Sequence, residues 1–267
     1  MKHSDWHEYF GTVSAPFACS AGSLHVLPAL HSRQLGNWRD IHVYLPPSYH
    51  RSSADYPVLY MHDGQNLFDP AISFAGEWGI DDAIVATGCE AVVVAIPNID
   101  SVRMAEYSPF ADWECGGGRG EAYVDFLVET VKPIIDQAFR TRRDAASTVI
   151  GGASMGGLIS LYAQRSRPDV FGCAAVMSPS LWYGREPLFA WLVAQGRRSG
   201  RFYLDIGTLE GDEMLADARR LRALLEQQGY RAGSDLRYCE QDAEHCEAAW
   251  AERFRNALPF LVKSSRL

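Results

Sequence analysis

Apolar residues in this chain fall into short, nearly unbroken runs separated by longer amphipathic stretches. Pro57–His62 and Ala91–Ile96 are apolar at almost every position. A strand with one wet face alternates, whereas a strand covered on both faces does not. Shorter runs predict further strands at Thr148–Gly151, Cys173–Met177, Arg201–Ile206 and Leu236–Cys239. Helical spacing places helices near Trp78–Thr87, Gly120–Ala138, Met155–Arg167, Glu213–Gln228 and Cys246–Val262. Two early runs, Ser23–Leu30 and Asp40–Leu45, read as antiparallel, the second ended by Pro46-Pro47. This alternation predicts an α/β fold with a central, mostly parallel sheet and helices on both faces. No repeat or linker divides residues 1–267, so one domain is expected. Ligands bind such sheets at the carboxyl ends of the strands, and the residues just after each strand therefore matter most.

Two stretches are not periodic. Residues 98–119 carry Tyr107, Phe110, Trp113 and Gly116-Gly117-Gly118, and residues 178–184 carry Trp182 and Tyr183. Loops this long usually serve a function, and both are read as walls of a substrate pocket, with surface packing as the alternative.

The segment Gly152-Ala153-Ser154-Met155-Gly156 follows the strand Thr148–Gly151 and opens a helix. Strand, sharp turn, serine and helix form the setting in which G-x-S-x-G makes a nucleophile elbow. Flanking glycines allow the tight turn, and the helix start offers unpaired N–H groups to a developing anion. Ser154 is the candidate nucleophile.

A serine hydroxyl needs a base, and histidine titrates near neutrality. His245 follows the strand Leu236–Cys239 and comes after Ser154 in the chain, which makes it the candidate base; His62, in the turn Met61-His62-Asp63-Gly64, is read as structural. A carboxylate must fix the histidine tautomer. The loop Gly207–Glu213 supplies Glu210 and Asp212. Glu210 is preferred as the acid, because Asp212 directly precedes a helix and reads as its N-cap. Asp205, inside the strand, is expected to point into one face. The oxyanion hole requires two aimed donors: the N–H of Met155, and that of Gln65 in the loop after Pro57–His62.

Composition narrows the chemistry. Of 267 residues, 47% are hydrophobic and 22% charged, with a net charge of −8, so a nucleic-acid partner is not expected. No stretch approaches the roughly 18 unbroken apolar residues of a membrane span. Lys2 is followed by no apolar run and the six cysteines form no C-x-x-C pair, so a cytoplasmic, reducing location is expected. No metal-ligand quartet and no phosphate loop with a lysine occurs, and neither metal nor other cofactor is expected. Oligomeric state leaves no trace in the sequence.

The run Tyr56–Asp69, with Glu77-Trp78 and Gly79-Ile80-Asp81 after it, resembles the putative-esterase family. So do Arg103 with Glu106-Tyr107-Ser108-Pro109, Gly152–Gly157, Ser178-Pro179-Ser180, and His245 followed by Trp250. The resemblance covers about residues 20–262 of this chain. The family groups enterochelin esterases, feruloyl esterases, S-formylglutathione hydrolases and mycolyltransferases. It implies an α/β-hydrolase fold, Ser154 as nucleophile, His245 as base, and Gln65 and Met155 as oxyanion donors. Glu210 matches the family's acid position. The expected activity is hydrolysis of a small carboxylic ester, of siderophore type or otherwise, through an acyl-enzyme. Trp78, Arg103, Trp113 and Trp182 are the expected substrate contacts; for Arg103 a structural pair with Glu106 is the alternative. Acyl transfer to an alcohol and a non-catalytic binding module are the competing readings of the whole chain.

Overall fold

The computed structural model describes residues 5–12, 15–112 and 116–262. Nine strands form one sheet: β1 (His7–Glu8), β2 (Ser23–Ser32), β3 (Asn37–Leu45), β4 (Val58–His62), β5 (Val92–Ile96), β6 (Thr148–Ala153), β7 (Cys173–Met177), β8 (Arg201–Gly207) and β9 (Leu236–Gln241). Their spatial order is β1-β2-β3-β5-β4-β6-β7-β8-β9. The first four pair antiparallel; from β5 to β9 every pairing is parallel. This is the α/β-hydrolase arrangement, and it brings the ends of β4, β6, β7, β8 and β9 to one edge.

The unbroken apolar runs have the physical cause expected of them. Val58 and Tyr60 of β4 face one core, and Leu59 and Met61 face another. On the first side lie α3 (Gly120–Asp125), α4 (Lys132–Ala138), α5 (Met155–Ser166), α6 (Arg185–Gln195) and α7 (Asp212–Gln227); on the second lie α1 (Ile80–Thr87) and α8 (Glu247–Leu261). A short helix, α2 (Arg103–Glu106), interrupts the loop after β5.

The structure departs from the sequence reading in several places. Helix α6 was not expected. Its apolar residues run unbroken from Leu188 to Ala194 and so circle the helix instead of marking one stripe; Leu188, Phe189 and Leu192 are buried while Val193 is exposed. Between α3 and α4 the chain passes through the π-helical turn Phe126–Val131. Asp212 is not an N-cap. It is the first residue of α7, behind Gly211, whose φ of +100° suits glycine alone. The edge strand β1 was also missed, being only two exposed residues long.

Candidate active site

Ser154 sits between β6 and α5 with φ +59° and ψ −124°, a backbone that a residue with a side chain adopts only under constraint. The flanking glycines make the constraint possible. A Cβ on Gly152 would lie 3.0 Å from His62 Cβ and 3.1 Å from the Gly156 backbone, and one on Gly157 would lie 2.6 Å from the Met177 carbonyl oxygen. Neighbouring backbone holds the turn in place. The Ser154 N–H donates to the Met177 carbonyl, and its own carbonyl accepts from the N–H groups of Leu158 and Ser180. Its hydroxyl lies 3.1 Å from that of Ser180.

Three side chains from three strand ends meet here. His245 Nε2 is 3.0 Å from Ser154 Oγ, and His245 Nδ1 is 2.8 Å from Glu210 Oε2. A carboxylate can only accept, so Nδ1 carries the proton and Nε2 accepts from the Ser154 hydroxyl. The Trp250 ring stands perpendicular to the imidazole at 4.8 Å. Burial pushes the Glu210 carboxyl upward, but hydrogen bonds from His245, Ser178 and the Gly207 N–H outweigh it and hold the group below the usual carboxylate range. Glu210 therefore stays ionised beside the histidine. Asp205, fully buried, is pushed up to about 6 by desolvation against the pull of Arg253. It accepts from the Ser178 N–H, not from His245. Asp212 is exposed at the start of its helix. His62 donates to or accepts from the Tyr123 hydroxyl at 2.9 Å and is wholly buried, in keeping with a structural part.

Of the two expected anion donors, Met155 directly follows Ser154, and Gln65 lines the same cleft as the serine. Met155 begins α5, so its N–H has no partner within the helix. Gln65 lies in the single turn Gly64–Asn66 after β4. Gly64 packs so closely on β5 that a Cβ would meet the Ala95 and Ile96 backbone at 2.6 Å. Asp63, at φ +54°, turns the chain into this loop. Its carboxylate accepts from Arg103 Nε and Nη2, both at 2.8 Å, and from Asn98 Nδ2 at 2.7 Å.

A cleft of about 860 Å³ opens above Ser154 and His245, lined among others by Asp63, Gln65, Phe74, Trp78 and Arg103. Phe74 stands 86% exposed at its lip. A groove of about 1010 Å³ lies at the opposite, amino-terminal ends of the strands, among Tyr49, Arg140 and Asp144, away from the serine. Of the expected contacts, Trp78 and Arg103 line the cleft. Arg103 pairs with Asp63 rather than with Glu106, which binds Arg39 at 2.8 Å in the core. Trp182 is not in the lining; its ring packs on Tyr183. Trp113 lies outside the described residues.

Sequence reasoning named Ser178 only within the Ser178-Pro179-Ser180 resemblance and the 178–184 stretch and passed over Arg253; both are bound to the rear of Glu210. The available signals were Ser178 directly after β7 and the i,i+3 spacing of Trp250 and Arg253 on α8. Among the described residues no group of His, Cys, Asp and Glu could hold a metal ion, and no helix is long and apolar enough to cross a membrane.

Known proteins similar to this chain identify its family and its fold. The protein YbbA of Bacillus subtilis, itself described as uncharacterized, is 28% identical over 255 residues, which are 89% of this chain and 98% of YbbA. The ferri-bacillibactin esterase BesA of the same organism is 27% identical over 236 residues, 77% of this chain and 79% of BesA. The enterochelin esterase of Shigella flexneri has the same fold, with a TM-score of 0.72 at 20% identity over 94% of this chain; the chain spans 60% of that structure. The family described as "Putative esterase" matches residues 32–261, nearly the whole chain, and the chain belongs to that family as a carboxylic ester hydrolase.

Proposed function

We propose that this chain hydrolyses small carboxylic esters through an acyl-enzyme, with Ser154 as nucleophile, His245 as general base and acid, and Glu210 as the carboxylate partner. The observation that carries the reading is the unbroken relay of 3.0 and 2.8 Å from Ser154 through His245 to Glu210, open to the cleft at its serine end. His245 takes the Ser154 proton as the hydroxyl attacks the ester carbonyl, and Glu210 stabilises the imidazolium that forms. The N–H groups of Met155 and Gln65 receive the oxyanion, each donor contributing about 3 kcal/mol to the transition state. His245 then protonates the departing alcohol, and water activated by the same imidazole frees the acid.

BesA acts on ferri-bacillibactin, and that relative supports a siderophore-type ester as the substrate class. The indole of Trp78 and the exposed ring of Phe74 give the cleft an aromatic wall suited to a flat acyl or alcohol group.

The test is turnover of p-nitrophenyl esters, acetate through octanoate, by wild type and Ser154→Ala, with fluorophosphonate labelling of both. The expected result is turnover and labelling in the wild type only, with kcat falling at least about 10³-fold in the variant. Equal turnover by both proteins, or labelling at a residue other than Ser154, would refute the proposal.

A further inference from the structure

One guanidinium serves two carboxylates behind this site. Arg253, on α8, is 1% exposed. Its Nη2 donates to Glu210 Oε1 at 3.2 Å and to Ser178 Oγ at 2.8 Å, while its Nε lies 3.5 Å from Asp205 Oδ1. The side chains of Asp205 and Glu210 are both fully buried. Ser178 is the junction. It donates to Glu210 Oε1 at 2.6 Å, accepts from Trp250 Nε1 at 3.0 Å, and gives its N–H to Asp205 Oδ1 at 3.0 Å. It reaches this position at φ +39°, in the left-handed region.

The fold alone does not require such an array. Taking charges out of water is costly, and well-packed apolar residues of the same volume are often as stable. Here one cation faces two anions, Arg253 Nε and Nη1 have no hydrogen-bond partner among the described residues, and the connecting serine is strained. Three donors converge on one oxygen of Glu210. Glu210 Oε1 collects the Gly207 N–H at 2.7 Å, Ser178 and Arg253, which leaves Oε2 as the oxygen facing His245. Glu210 is carried by a loop and has three side-chain torsions, so its direction has to be imposed from outside.

We propose that Ser178 and Arg253 are positioning residues of the esterase site. They clamp the rear oxygen of Glu210 so that the front oxygen meets His245 Nδ1 and Nε2 points at Ser154. Neither residue touches the substrate. Asp205 binds the far side of Arg253 and steadies it between the two acids. Trp250 links the clamp to the base, its N–H on Ser178 and its ring against His245. The inference rests on Glu210 being the carboxylate partner.

A kinetic double-mutant cycle separates this role from simple packing. Ser178→Ala, Glu210→Gln and the double variant are assayed on p-nitrophenyl acetate, with near-UV circular dichroism as the control for folding. If Ser178 acts through Glu210, Ser178→Ala lowers kcat about tenfold with KM nearly unchanged, yet costs less than about twofold once Glu210 is Gln. The same loss in both backgrounds would overturn the proposal, because a packing defect is indifferent to the charge on residue 210. No loss from Ser178→Ala in the wild-type background would overturn it too. If Glu210→Gln alone leaves kcat unchanged, the assignment of Glu210 fails and the clamp falls with it. Should Ser178→Ala not fold, Arg253→Lys enters the same cycle; it keeps the charge and gives up the shared Nη2 donation.

Discussion

His62 is expected to make an acid-sensitive contribution to the stability of this protein, and the size of that contribution follows from its surroundings. The imidazole is 1% exposed, packs against the rings of Tyr107 and Tyr123 at 5.3 and 5.5 Å, and has no partner for Nε2 among the described residues. Burial, the largest influence, disfavours the charged ring; Asp63 opposes and Arg103 reinforces, and the group is lowered from 6.5 to about 3. Between those values the unfolded chain binds a proton that the native protein does not. Stability therefore rises with pH: the contribution is fully present above about 6.5 and is lost as pH falls toward 3. Each unit is worth about 1.4 kcal/mol, so moving from pH 7 to pH 4 costs about 3 kcal/mol. That is a large share of the 5–15 kcal/mol typical of a folded domain.

Asp205 opposes this trend, so the wild-type curve alone would not reveal it. Its folded value of about 6 exceeds its ordinary 3.8, which means the native state loses stability as pH rises through that interval, and acidification restores up to about 3 kcal/mol. Substitution at residue 62 separates the two. Asn at that position keeps a polar atom near Tyr123 and cannot ionise. His62→Asn is expected to be the less stable protein at pH 7, having lost ring packing, with the gap to wild type shrinking by about 3 kcal/mol by pH 4. Urea unfolding at four pH values, followed by tryptophan fluorescence, measures this gap. Parallel stability curves for the two proteins would refute the reasoning, since they would mean that residue 62 takes up no proton on unfolding.

Three other perturbations have definite expected outcomes. Glu106→Gln removes the anion from the buried pair with Arg39 and strands a guanidinium in the core; a loss of about 3–5 kcal/mol in chemical denaturation is expected. Gly64→Ala places a methyl 2.6 Å from the β5 backbone and pushes the Gln65 loop outward, so kcat falls by the equivalent of about 3 kcal/mol, one lost oxyanion donor, while KM holds. Arg103→Met releases Asp63, and with it that loop, lowering kcat about tenfold even on the neutral p-nitrophenyl acetate; unchanged kinetics on this ester would leave substrate contact as the only role for Arg103.

How much of this could be read from the sequence depends on the range of the interaction involved. The parallel strands announced themselves because both of their faces are covered, and Val58–Met61 can satisfy two cores only by being apolar throughout. The bend at Ser154 was legible because its requirements are local: a strand, glycines at 152 and 156, and a helix. Helix α6 was hidden because its residues 188–194 are apolar without a break, circling the helix and leaving no amphipathic stripe on which helical periodicity depends. The alternative partner given for Arg103 was wrong because sequence proximity favoured Glu106, three residues along, over Asp63, forty residues back. In the fold α2 turns Arg103 toward the cleft loop and Glu106 into the core against Arg39.

The same distinction explains why the loop that meets His245 could be placed while the residues behind it could not. Glu210 follows a strand and precedes a helix, so its position at the sheet edge is set by residues within a few places of it. What orients its carboxylate arrives from 32 and 43 residues away, on β7's trailing loop and on α8. Each of those residues looks ordinary alone: a serine before a proline, and an arginine on a helix with other charged residues. Only tertiary packing makes Arg253 a fully buried cation, and only the presence of two carboxylates at the end of β8 gives that cation something to hold. Substitutions of Ser178 and Arg253 are therefore expected to be read in kcat through Glu210, because two residues 75 apart in the chain hold the same carboxylate.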